Sequence, residues 1–105
     1  STHKGDIVET NAVKELFGEA AYELVLNSTK GATGHMMGAG GITEVITCIK
    51  AIETGIIPAT LNLEEKDPEC DLNYVSVNTE KEINYAMSNA FGFGGQNSSI
   101  IVGRY

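Results

Sequence analysis

Apolar residues along this 105-residue chain change their spacing several times, and each change marks an element. From Asp6 to Phe17, Val8, Ala12 and Leu16 recur at i, i+4, with Ile7 and Val13 beside them. That spacing predicts a helix with this stripe turned inward. Asp6 is its candidate N-cap, Glu9 suits a capping-box start, and Gly18 supplies the stop. Glu23 to Ser28 is short and mostly apolar, which predicts a strand covered on both faces. Ile42, Val45, Ile46, Ile49 and Ile52 share one stripe of a second helix, from about Gly38 to Thr54 and closed by Gly55. Glu44 lies almost opposite the centre of that stripe, where a solvated residue is expected. Pro58 to Leu63 reads as extended chain, Glu64 to Glu69 as an acidic surface turn, and Asn73 to Val77 as a short strand. Tyr85 to Ala90 and Ser98 to Val102 predict an antiparallel pair joined by a wide glycine loop. The order helix, strand, central helix, antiparallel strands describes half of a layered α/β unit.

Composition narrows the class. The length suits one domain, and 42% hydrophobic residues can build a core of modest size. A formal charge of −7 argues against nucleic acid and anionic membrane surfaces, which both require Lys and Arg clusters. Glu44, Lys50 and Glu53 interrupt the longest apolar run, so no membrane span is expected. Two cysteines without a secretory pattern read as reduced thiols. A soluble, cytoplasmic protein is expected.

The densest chemistry lies in Ser28 to Glu44. Lys30 and His35 stand five residues apart, and five glycines (Gly31, Gly34, Gly38, Gly40, Gly41) fall within eleven residues. Such density weakens a helix, so positive φ, close backbone approach or tight packing must require it. Two readings of these residue types stand side by side. One is a tight turn with a structural histidine. The other is a neutral histidine near a helix start, donating an N–H toward developing negative charge. A dinucleotide fingerprint fails because Thr43 stands where the third Gly or Ala belongs, and no Gly-Lys-Ser/Thr completes a P-loop. His3 reads as an exposed loop residue. An unbroken helix would put Glu44 and His35 on opposite faces, so their cooperation requires the helix to begin after His35.

Larger blocks carry a resemblance. Ser28-Thr29-Lys30-x-x-Thr33-Gly34-His35-x-x-Gly38-Ala39-x-Gly41, with Glu44 nine residues after the histidine, is similar to the elongating β-ketoacyl-acyl-carrier-protein synthases. Asn89-Ala90-Phe91-Gly92-Phe93-Gly94-Gly95-Gln96-Asn97 resembles that family's Asn-Ser-Phe-Gly-Phe-Gly-Gly-x-Asn loop. Pro58 to Leu63 and Cys70-Asp71-Leu72 agree, in order and at family spacing. Ala90 replaces the usual Ser, and Gly31-Ala32 the usual Ser-Met. A thiolase would carry a second catalytic Cys in the C-terminal loop, and an initiating synthase an Asn in the His35 block; neither is found here.

The resemblance implies the C-terminal part of a thiolase-like, layered αβαβα fold over residues 1–105, with the N-terminal half of the domain absent. The family's His-Gly-Thr motif would immediately precede Ser1, so the chain reads as a C-terminal fragment. The implied reaction is a decarboxylating Claisen condensation of malonyl-acyl-carrier-protein with an acyl-enzyme. His35 would be one of two histidine donors, Lys30 would orient it, and Glu44 would hold Lys30. Phe93 would gate the site, with Gly92, Gly94 and Gly95 permitting its swing, and Asn97 would brace that loop; Thr33 belongs to the same block. No cofactor is implied beyond the phosphopantetheine arm of the carrier. The nucleophile is missing: Cys48 sits within a helix, and Cys70 lies between two acids. The fragment alone is therefore expected to be inactive. Implied partners are acyl carrier protein, the missing half and a second copy of the full enzyme, although this acidic surface is not expected to be the main carrier dock. A polyketide ketosynthase domain, or a non-catalytic subunit resembling a chain-length factor, also fits these blocks.

Overall fold

The computed structural model describes residues 2–105. Helix α1 spans His3–Phe17, one turn earlier than the sequence predicts. Thr2 has extended backbone and its hydroxyl accepts the Gly5 N–H at 3.0 Å, so Thr2, and not Asp6, is the N-cap. Asp6 falls in the first turn, where its charge meets the positive end of the helix dipole. His3 is consequently helical, and its exposed ring pairs with Asp67 of the acidic turn at 3.1 Å. The buried face also differs from expectation. Thr10 and Val13 are buried, whereas Val8 and Leu16 are 57% and 71% exposed. Thr10 is tolerated inside because its hydroxyl bonds the Asp6 carbonyl at 2.8 Å and the Tyr74 hydroxyl at 2.6 Å. Val13 joins Ala21 and Leu72 in a small core, packed round by Phe17, Leu24, Leu26 and Tyr74.

A 3₁₀ turn, Gly18–Glu23, follows α1. The strands expected over Glu23 to Ser28 and Asn73 to Val77 reduce to one parallel bridge, Leu26 to Tyr74. Leu26 N–H donates to the Asn73 carbonyl and Val75 N–H to that of Leu26, both at 3.0 Å. A ladder propagates only while neighbours continue it, and among the described residues this pair has no further strand beside it.

Helix α2 is one turn, Lys30–Thr33, and a 3₁₀ turn, Met37–Ala39, leads into α3, Gly40–Thr54. Gly55 closes α3 at φ 70°, its N–H reaching the Ala51 carbonyl at 2.9 Å. Strand β1 (Ile56–Ile57) pairs antiparallel with β2 (Thr79–Glu80). Strand β3 (Tyr85–Phe91) pairs antiparallel with β4 (Asn97–Gly103), from Tyr85 opposite Gly103 to Phe91 opposite Asn97. That hairpin is the predicted one, longer by a residue at three of its four strand ends. Helix α3 packs on the hairpin and on β1. Arg104 ties the end of the chain to α3, its guanidinium donating to the Ile52 carbonyl at 2.7 Å. The result is a mixed α/β arrangement of helices on antiparallel pairs.

The isoleucine stripe of α3 is divided. Ile52 is buried with Ala51, but Ile42, Ile46 and Ile49 are exposed. The side opposite the stripe, expected in solvent, carries Glu44 at 20% side-chain exposure. The radius of gyration, 13.2 Å, is that of a compact chain of this length, yet the accessible surface is 7484 Å². A monomer of this mass exposes about 5,700 Å². The difference is surface that these elements do not cover among themselves, and the exposed isoleucines of α3 contribute to it.

Candidate functional site

Lys30 opens α2, and its ammonium lies 3.1 Å from Glu44 Oε1 on α3. Both side chains are largely shielded, at 32% and 20% exposure, so this pair is screened less than one in open solvent. The helix beginning after His35 makes the pair possible. Gly34 ends α2 at φ 74°, ψ −178°, a backbone open to glycine alone, and the chain turns there before α3 starts at Gly40. Gly40 keeps a second close approach open: a Cβ there would sit 3.1 Å from the His35 carbonyl oxygen, a tight contact. Gly31 lies against Leu61, where a Cβ would come within 2.9 Å of the carbonyl oxygen.

His35 is exposed and separated from α3 by the 3₁₀ turn. Its state is set locally. Nδ1 accepts the Met37 N–H at 3.2 Å, and an accepting Nδ1 carries no proton. The ring proton therefore resides on Nε2, which remains a donor. Met36 and Met37, at φ 51° and 48°, hold that turn in the left-handed region. For L residues this costs about 1–2 kcal/mol each, and such strain collects at functional loops. Thr33 secures the preceding turn, its hydroxyl reaching the Thr29 and Gly34 carbonyls at 3.2 and 3.0 Å.

One further group feels the lysine, and it is not evident from spacing: Glu9 of α1 is half-buried, within reach of the Lys30 charge and of the Asn89 amide. Burial pushes the Glu9 carboxyl above its ordinary range, Asp6 adds to that, and the Asn89 amide and Lys30 oppose it. Glu9 reads from sequence as a capping-box partner. With Thr2 as the cap, Glu9 lies beyond the first turn, outside any capping box.

Phe93 stands at the tip of the β3–β4 loop, fully exposed, with Gly94 and Gly95 behind it both at φ 82°. The loop is closed by the Gly92 N–H to the Gln96 carbonyl at 2.7 Å, and Asn97 begins β4 opposite Phe91. Cys48 follows Glu44 by one turn of α3. Burial first, then the Glu44 charge, pushes its thiol up, away from the thiolate a nucleophile needs. Cys70 is buried. Two concave surfaces lie elsewhere, around Glu53, Glu80, Lys81 and Arg104 at the far end of α3, and are open to solvent. Among the described residues, no group of three or more His, Cys, Asp or Glu could hold a metal ion, and no helix is long and apolar enough to cross a membrane.

Known proteins match this arrangement. A 3-oxoacyl-[acyl-carrier-protein] synthase 2 of Coxiella burnetii is 44% identical over 105 residues, covering 99% of this chain and 25% of that protein. A chain from the ishigamide ketosynthase/chain length factor superposes with a TM-score of 0.90 at 35% identity, covering 99% of this chain and 26% of that one. A chain from a type II polyketide acyl-carrier protein in complex with its ketosynthase, bound to the hexaketide, gives 0.89 at 35% identity, covering 96% and 25%. The likeness confirms the thiolase-like condensing-enzyme fold. The chain spans about a quarter of the length of the curated relatives it matches. Residues 1–64 match the family described as beta-ketoacyl synthase, C-terminal domain, and with that match the chain belongs to the β-ketoacyl synthase family.

Proposed function

We propose that residues 1–105 form the C-terminal portion of a thiolase-like domain and supply part of the active site of a decarboxylating condensing enzyme. The observation that carries this reading is the pairing of Lys30 with Glu44 across the glycine-rich segment that also holds His35, whose Nδ1 is engaged by the Met37 N–H. The cysteine nucleophile would come from residues beyond this chain, since neither Cys48 nor Cys70 suits the role.

In the proposed reaction the acyl group rests on that cysteine as a thioester. The carboxylate carbon–carbon bond of malonyl thioester breaks, CO2 leaves, and the electron pair passes into an enolate. His35 Nε2–H donates toward the enolate oxygen, where one preorganised donor contributes about 2.7–4 kcal/mol of barrier lowering. The enolate carbon then attacks the acyl thioester carbon and expels the cysteine thiolate. Lys30 is a fixed positive charge that orients the His35 loop, held by Glu44. Phe93 gates the nucleophile, with Gly94 and Gly95 as hinges, while Thr33 and Asn97 brace their loops.

Acyl and malonyl groups on the phosphopantetheine arm of an acyl carrier protein fit this chemistry, and the names of the relatives support that partner. A cytoplasmic enzyme of fatty acid elongation, dimeric in its full form, is the reading favoured here. The polyketide structures favour a second: a polyketide ketosynthase, or a chain-length-factor-like subunit.

The test uses the full-length polypeptide carrying this segment, purified and given malonyl-acyl-carrier-protein. His35→Ala should lower the rate of CO2 release by about 10²–10³-fold, the range for one lost oxyanion donor. An unchanged rate overturns the role of His35. The 105-residue chain alone should transfer no acyl group. Transfer that disappears on Cys48→Ala or Cys70→Ala would show that it holds its own nucleophile.

A further inference from the structure

We propose that Thr60 is a positioning residue for Lys30, its hydroxyl holding the backbone from which the lysine projects. The Ser28 N–H donates to Thr60 Oγ1 at 3.1 Å, and Ser28 Oγ in turn accepts the Lys30 N–H at 3.3 Å. Lys30 then carries its ammonium to Glu44 Oε1 at 3.1 Å. Two neighbouring contacts run alongside. The Asn27 amide donates to the Pro58 carbonyl at 3.0 Å, and Gly31 approaches Leu61 so closely that a Cβ there would lie 2.9 Å from its carbonyl oxygen. Asn27, Ser28 and Gly31 are thus seated in order on Pro58, Thr60 and Leu61.

The seat is firmer than the helix it carries. Ile57 and Ala59 are buried, the Ala59 N–H donates to Asn78 Oδ1 at 3.0 Å, and the Thr60 N–H donates to the Val75 carbonyl at 2.8 Å. Helix α2 has only four residues, and a single turn does not sustain itself in water. Its N-cap, Thr29, gives it no side-chain bond, so its direction is set by what it rests on. The Pro58 and Leu61 contacts use backbone carbonyls, which no substitution removes. Thr60 is the exception, because its side chain is the acceptor for the Ser28 N–H. Losing that oxygen frees the start of α2, and with it the aim of Lys30 at Glu44.

The inference deepens the condensing reading and rests on it for its effect on rate, but the contact is tested separately. In the full-length polypeptide, Thr60→Val keeps the shape of the side chain and removes the acceptor, whereas Thr60→Ser keeps the acceptor. Hydrogen–deuterium exchange, read by mass spectrometry on peptides covering 27–34, should quicken about fivefold in Thr60→Val, as for one net hydrogen bond lost. Thr60→Ser should exchange at the parental rate. Thr60→Ala removes the same acceptor with no β-branch to misfit, and should repeat the Thr60→Val result. With malonyl-acyl-carrier-protein, Thr60→Val should lower kcat for CO2 release by about fivefold at unchanged KM, and Thr60→Ser should restore it. Beside Lys30→Ala, Thr60→Val should lower the rate no further, which separates action through the lysine from a general loosening. Parental exchange over 27–34 in both Thr60→Val and Thr60→Ala overturns the inference, as does a rate loss that persists in full beside Lys30→Ala. Wild-type protein that releases no CO2 overturns the condensing reading instead, and the exchange still decides whether Thr60 holds the start of α2.

Discussion

At the scale of residues, the site depends on small polar contacts that fix the proton positions and charges of a few groups. His35 is the clearest case, since the Met37 N–H decides which ring nitrogen holds the proton. Cys48 is the converse case, a thiol suppressed by burial and by the carboxylate one turn before it. Its raised titration means that thiolate forms only above the ordinary cysteine range. Alkylation by iodoacetamide, followed against pH, should therefore reach half its limiting rate at a higher pH than a free thiol. Glu44→Gln should bring that midpoint down. A Cys48 that alkylates like a free thiol at neutral pH would reopen it as a nucleophile. The sequence shows Lys30, His35 and Glu44 because their types and spacing are local. It does not show that Glu9 feels the Lys30 charge, because α1 and α2 come within reach of each other only in the fold.

At the scale of elements, the turn between α2 and α3 is where sequence density becomes geometry. Glycines serve there for separate reasons: Gly34 for its backbone angles, Gly31 for its close approach to Leu61. Gly34→Ala should destabilise the fold by about 1–3 kcal/mol, because the φ 74°, ψ −178° conformation excludes a Cβ. Chemical denaturation of the full-length protein would register this as a lower midpoint. The same change should weaken the Lys30–Glu44 pair, since Gly34 controls how α2 leads into α3. Equal denaturation midpoints for variant and parent would show that the backbone relaxes and that Gly34 is not needed for the turn. Helix α1 shows why element boundaries are harder to read than element types. Thr2 and Asp6 are both good caps, and the choice was made by which of them has extended backbone.

For the whole molecule, the surface decides the behaviour. About 1,800 Å² is exposed beyond what a monomer of this mass shows, and Ile42, Ile46 and Ile49 are exposed along one stripe of α3. An exposed apolar stripe of this kind marks a face suited to cover by other chain. The isolated 105-residue polypeptide should therefore elute from a sizing column above its 11.2 kDa and bind a hydrophobic dye. Ile46→Glu should reduce both effects. A monodisperse 11.2 kDa species without dye binding would mean that the exposed stripe is tolerated in water, and that the chain stands by itself.

Sequence alone determined both long helices, the antiparallel hairpin, and the blocks around His35 and Phe93 that mark the family. These follow from spacing, from glycine placement and from residues close together in the chain, which act locally. The tertiary structure decided the facing of each helix. Val8 and Leu16 turned outward because the Thr10 hydroxyl found the Asp6 carbonyl and the Tyr74 hydroxyl as partners, and Glu44 turned inward because Lys30 met it there. It also decided that Glu23 to Ser28 would bridge only at Leu26, since a strand exists only where a neighbour pairs with it. Periodicity measures how apolar a face is. Which face is covered depends on what packs against it, and that is a property of distant residues brought together.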